Sequence, residues 1–157
     1  MLRLALLAAT NRQPEWVEAG YAEYAKRLRG RCRLELVTVA LARRGASVPL
    51  ERAVVDEGER LLARVPQGAH VVALNETGQA WTTKTLAAKL ERWMQGGAPV
   101  ALLVGGPDGL APACLKRANE QWSLSALTLP HGLVRVVVAE ALYRAWSLLE
   151  GHPYHRP

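Results

Sequence analysis

The side chains best suited to moving protons or ligating a cation gather toward the C-terminal end of the sequence. His152 and His155 stand three apart and His131 precedes them, and imidazole both titrates near neutral pH and, as the neutral base, binds divalent metals. No cysteine or acidic partner stands beside them at ligand spacing, so the pattern predicts no metal. A metal-dependent hydrolase built on these three histidines stays only as an alternative. Glu140 and Arg144 are one helical turn apart and predict an ion pair.

A second kind of chemistry needs no side chain. The apolar run Val100 to Val104 ends in Gly105-Gly-Pro-Asp-Gly109, and a strand that ends in glycines leaves its amides and carbonyls open to close approach by a ligand. Leu124-Ser-Ala-Leu-Thr-Leu-Pro130 is expected to supply a second strand end, as the floor of the same crevice. Crevices at the carboxyl ends of strands in open α/β sheets are where ligands bind. Several familiar sites are excluded: there is no Gly-x-Ser-x-Gly elbow, no Gly-x-x-x-x-Gly-Lys loop, and no Gly-x-Gly-x-x-Gly after the first strand.

The elements that must position these groups alternate in type. Strands are expected at Met1 to Ala9, Leu34 to Leu41, His70 to Leu74, Val100 to Val104 and about Ser125 to Leu129. Helices are expected from Glu15 to about Leu28, Leu50 to Arg64, Thr82 or Thr83 to Gly96, near Pro112 to Asn119, and Leu133 to Leu149. This order predicts an α/β fold with a largely parallel sheet and helices on both faces. The last helix is apolar around nearly its whole circumference. One sheet covers one side of such a helix, so a second copy of the chain is expected to bury the rest as a homodimer.

Half of the 157 residues are hydrophobic and 22% are charged, which reads as one globular domain spanning residues 1–157. Two cysteines without a metal pair fit reduced thiols and a cytoplasmic location. The short apolar run Leu4 to Ala9 suits a buried strand rather than a signal peptide, and no stretch approaches the roughly 18 apolar residues of a membrane span. The net charge of +6 is local, since residues 1–44 hold nine Lys or Arg against four Glu. Lys26, Arg27, Arg29, Arg31 and Arg33 form a run that reads either as a solvated helix end or as a phosphate-contacting patch.

Gly105-Gly-Pro-Asp-Gly-Leu110, Leu124-Ser-Ala-Leu-Thr-Leu-Pro-His131, Arg135, Glu140-Ala-Leu-Tyr-Arg-Ala-Trp146 and His152-Pro-Tyr-His-Arg156 occur in that order. Together they closely resemble the SPOUT-class methyltransferases that modify a pseudouridine of the large ribosomal subunit, over the whole chain. The resemblance implies a C-terminal trefoil knot, a homodimer, and S-adenosyl-L-methionine as cofactor. It implies a cofactor pocket made by Leu74, Gly105, Leu124, Ser125, Ala126, Leu127, Thr128 and Leu129. The implied reaction is methyl transfer to N3 of a pseudouridine in 23S rRNA on the assembled ribosome. For that step the resemblance points to His155 as the group that takes the N3 proton, with His131 second. Tyr154 would stack on or hydrogen-bond a base, and Arg156 would hold a phosphate or the developing anion. The chain departs from the family pattern at Ala8-Ala9-Thr10, where relatives turn through a glycine, and at Asn75, where an acid is common. A non-catalytic ribosome-binding or assembly factor is the alternative from another class.

Overall fold

The computed structural model describes residues 1–155. Strand and helix alternate without exception: β1 (Leu2–Ala9), α1 (Glu15–Ala25), β2 (Cys32–Val39), α2 (Leu50–Leu62), β3 (His70–Ala80), α3 (Thr83–Gly96), β4 (Val100–Val104), α4 (Pro112–Arg117), β5 (Glu120–Ser123) and α5 (His131–Leu149). The five strands form one sheet in the order β2-β1-β4-β3-β5, with every pairing parallel. The expected α/β class with a parallel sheet is therefore what forms. Parallel pairing requires a crossover between neighbours, and the helices supply it on both faces.

Side chains alternate across the sheet with period two, and this divides the core. From β1, Leu2, Leu4, Leu6 and Ala8 join the core beneath α1, α3 and α5. Leu7 and Ala9 face the opposite core, with Leu61 of α2, Cys114 of α4 and Ala111 at the start of that helix. β4 is buried at all five positions, as a central strand covered on both faces must be. Both cysteines are buried free thiols, and burial raises the Cys32 thiol to about 12.

No residue of α5 is exposed. The helix packs against α1 and α3 as well as the sheet. A sheet with one neighbour on either flank covers three sides, and Leu133, Val134, Val136, Val137, Ala141, Leu148 and Leu149 stay partly exposed. On α1, Val17 and Tyr21 are the buried residues and Trp16 is 62% exposed.

Two strands differ from expectation near the crevice. β3 does not stop at Leu74. It shifts register between Leu74 and Gln79 and resumes pairing, Gln79 with Trp122 and Ala80 with Ser123. β5 lies at Glu120–Ser123 rather than at Ser125 to Leu129. Beyond Ser123 local side-chain bonds compete with the ladder: Ser123 Oγ donates to the Ser125 carbonyl at 3.2 Å, and the Leu127 N–H donates to Ser125 Oγ at 2.9 Å. Leu124 to Leu129 is therefore a loop. Among the described residues no helix is long and apolar enough to cross a membrane.

Candidate active site

Three segments leaving the same end of the sheet enclose a cavity of about 500 Å³. The β3 irregularity contributes Leu74 to Thr77, the turn after β4 contributes Val104 to Leu110, and β5 with its following loop contributes Trp122 to Ser125 and Leu127 to Leu129. His131 and Val134 close it from the start of α5. Of the residues assigned to the pocket from the sequence, Leu74, Gly105, Leu124, Ser125, Leu127, Thr128 and Leu129 line it, and Ala126 does not. The loop points Ala126 elsewhere because it bends about Ser125 rather than running as a strand. Trp122 was missed because it sits before the supposed strand.

Glycine is required at three places in or beside these walls. A Cβ on Gly105 would stand 2.4 Å from the carbonyl carbon of Gly109 and 2.6 Å from its oxygen, so the turn closes only on a bare backbone. Gly109 itself has φ of 88° and donates its N–H to the Gly106 carbonyl at 3.0 Å. Gly78 likewise lets the β3 loop lie against β5, where a Cβ would meet the Gln121 carbonyl carbon at 2.7 Å. Asn75 Nδ2 donates to Gln121 Oε1 at 2.8 Å and fastens that loop.

His131 is the imidazole at the cavity. Burial is the largest influence on it and lowers its pKa, and the Arg135 charge lowers it further. The Ala9 and Gly105 carbonyls and Glu57 pull weakly the other way. The ring is thus neutral at pH 7, and its buried Nε2 has no hydrogen-bond partner. Arg135, only 3% exposed, donates to Glu18 Oε1 at 2.8 Å and to Thr10 Oγ1 at 3.3 Å. Thr10 also receives Gln13 Nε2 at 2.9 Å. The turn after β1 is therefore closed by side chains, with no positive φ at Ala9 or Thr10, which explains how the chain dispenses with a glycine there.

The tail lies elsewhere on its own chain. The Tyr154 phenol donates to Glu140 Oε1 at 3.0 Å, the same oxygen that takes Arg144 Nε at 2.9 Å and Nη2 at 2.6 Å. The expected Glu140–Arg144 pair thus forms and also anchors the tail. The Tyr154 ring packs 4.5 Å from that of Tyr143, with the Arg144 guanidinium 5.0 Å from its centre. Burial, and then Glu140, raise the phenol to about 12, so Tyr154 serves as a neutral donor. His155 Nδ1 is buried without a partner, and neither His155 nor Tyr154 lines the cavity. Arg156 lies outside the described residues. His131 opens α5 and His152 follows its end, where it packs on Tyr143 and Trp146. The intervening 19-residue helix spans about 28 Å, so the histidines do not converge on one centre.

Comparison with known proteins gives the family. The sequence matches the family described as "Predicted SPOUT methyltransferase" over residues 2–155. The chain belongs to the SPOUT methyltransferase family. Among its relatives, the "Ribosomal RNA large subunit methyltransferase H" of Nitrosococcus oceani is 53% identical over 155 residues, covering 99% of each chain. The protein of the same name from Hahella chejuensis is 51% identical over 155 residues, again with 99% of each covered. A solved structure, a probable methylase family protein from Haemophilus influenzae, shares the SPOUT fold at a TM-score of 0.56 and 14% identity, covering 99% of this chain and 70% of that one.

Proposed function

We propose that this chain is an S-adenosylmethionine-dependent rRNA methyltransferase that acts on N3 of a pseudouridine in the 23S rRNA of the assembled ribosome. In this reading it works as a cytoplasmic homodimer of a single domain, with its C-terminal segment threaded as a trefoil knot. The observation that carries the reading is the cavity at Gly105, walled by seven of the eight residues that the family pattern picks out, in a chain whose relatives at 51–53% identity are named for this class of reaction.

The cofactor fits the residues present. The cavity volume is that of an ordinary small-molecule site, and Gly105 lets the turn in its wall fold back tightly on Gly109. Leu74, Leu124 and Leu129 offer apolar cover for an adenine while the surrounding main chain offers donors and acceptors. No Lys or Arg is among the lining residues, and Glu76 is, while Asp108 is paired with Arg44 behind the wall; a cation meets no like charge there. Bound there, S-adenosylmethionine supplies a sulfonium-activated methyl group.

The chain's own residues must then orient N3 and accept its proton. His155 is assigned that proton, Tyr154 the base contact and Arg156 a phosphate or the developing imidate. Because Tyr154 docks on Glu140, nine residues along α5 from His131, or about 14 Å, the tail is assigned to the cavity of the second protomer. His131, neutral and unpartnered at Nε2, is the second reading for the base. The run Lys26 to Arg33 provides footing on rRNA; Lys26 and Arg27 are partly neutralised by Glu23, Arg31 by Glu150 and Arg33 by Glu35, and the phosphate contact that remains weakens with salt.

Titration calorimetry with S-adenosylmethionine, with and without ribosomes, tests the reading. The wild-type protein is expected to bind, and Gly105→Leu, with its circular dichroism unchanged, to lose at least about a hundredfold in affinity. Absence of wild-type binding under both conditions would favour a non-catalytic ribosome-binding factor.

A further inference from the structure

We infer that Arg44 and Glu57, neither of which lines the cavity, are positioning residues that set the shape of the glycine turn through Asp108. The inference rests on the cofactor reading above for its consequence and on the following geometry for its substance. Glu57 lies in the middle of α2 and is only 2% exposed. Its carboxylate accepts the Ala42 N–H at 2.9 Å, Arg44 Nη1 at 2.6 Å and Arg44 Nη2 at 3.2 Å. A buried carboxylate is tolerated only when its oxygens are satisfied in this way. Arg44 Nη1 donates also to the Ala42 carbonyl at 3.0 Å, so the guanidinium plane has little freedom.

The third edge of that plane reaches the turn: Arg44 Nε donates to Asp108 Oδ2 at 2.9 Å. Asp108 is the residue before Gly109 and belongs to the cavity wall. A planar fork held by Glu57 on one side therefore presents a fixed donor to the turn on the other, a task for which a lysine ammonium has the wrong shape. Two further contacts seat the same turn on α2. A Cβ on Gly106 would lie 2.8 Å from Glu57 Oε1, and one on Gly58 would lie 2.5 Å from the Ala111 Cβ. The turn thus bears on Glu57 near its start, is tied to Arg44 near its end, and is followed by a segment pressed against Gly58.

The Arg44–Asp108 pair is roughly one-third exposed, and pairs of that kind add little to global stability. Its strict geometry instead selects one conformation of a glycine-rich backbone that would otherwise sample many. Arg44→Lys keeps a cation for Glu57 but cannot bridge both carboxylates, and Asp108→Asn removes the charge at the turn.

A double-mutant cycle on these two positions separates positioning from general destabilisation. Two quantities are read: the dissociation constant for S-adenosylmethionine, and the hydrogen exchange rate of the Gly109 amide in protein without cofactor. Each single variant is expected to weaken binding about tenfold and to speed Gly109 exchange, Asp108→Asn with little change in Tm and Arg44→Lys with a lower Tm because the buried Glu57 loses a partner, and the double variant to bind no more weakly and exchange no faster than the worse single one. Additive effects, or singles indistinguishable from wild type, would overturn the inference. Should the wild type fail to bind S-adenosylmethionine at all, the cofactor reading falls, and the exchange cycle alone still decides whether Arg44 holds the turn.

Discussion

At the scale of single residues, the site divides into groups whose chemistry is written in their identity and groups whose chemistry comes from their neighbours. Gly105 belongs to the first: a glycine directly after an apolar strand marks backbone that must do without a side chain, and the space a Cβ would take is filled by the Gly109 backbone rather than left open. His131 belongs to the second, since only the fold buries it beside Arg135. Its folded pKa lies below the ordinary histidine value of about 6.5. The unfolded chain therefore binds the extra proton first as pH falls, and stability must drop from about pH 6.5 downward until the folded imidazole also titrates. Thermal melts taken from about pH 8 to about pH 5 should show this fall, and His131→Gln should flatten it; an equal slope in both proteins would mean that His131 is not held neutral. Arg44 and Glu57 were illegible for the same reason. In a charged helix and a breaker-rich loop nothing distinguishes one Arg or Glu from its neighbours until they meet.

At the scale of elements, legibility followed the strength of the end signals. α3 was readable to within one residue, with Thr82 rather than Thr83 as the cap, because Thr82 Oγ1 accepts the Thr85 N–H at 3.0 Å and Gly97 stops the helix at φ of 77°. Replacing Thr82 by Ala should cost about 1 kcal/mol, visible as a Tm lower by roughly 2–4 °C, while Leu86, Leu90 and Trp93 keep the helix docked. A larger loss would show that the cap also holds the adjoining end of β3. The strand at Val100–Val104 was equally plain, being a short β-branched run closed by glycine. β5 was not. The pattern of Leu124 to Leu129 suits a strand as well as an apolar loop, and the choice was made by Ser123 and Ser125, whose hydroxyls bond the local backbone. The extension of β3 past Leu74 was hidden as well, because Asn75 to Gly78 has turn composition and only pairing with β5 returns the chain to the sheet.

At the scale of the molecule, the separation of tail and cavity makes the assembly testable. If Tyr154 and His155 serve the other protomer's cavity, Gly105→Leu and His155→Ala are each inactive alone, yet mixed dimers hold one site with both parts intact. Co-expression should restore up to about a quarter of wild-type ribosome methylation, since half of randomly paired dimers are mixed and each has one complete site. No recovery, with mixed dimers confirmed by differential tags, would place the tail on its own chain's cavity. The parallel sheet was legible from the alternation of elements, but its strand order was not, because nothing local to a strand names its neighbours. That order, β2-β1-β4-β3-β5, also governs how the chain can emerge during synthesis. β1 and β2 are able to pair early, whereas β3 has no neighbour until Val100–Val104 is made and fills the gap between β1 and β3. A nascent chain halted before residue 100 carries raw strand edges, which invite misassociation. The ligand cavity, walled partly by residues 122–134, is among the last features to exist, so a truncated product has no competent pocket with which to sequester cofactor.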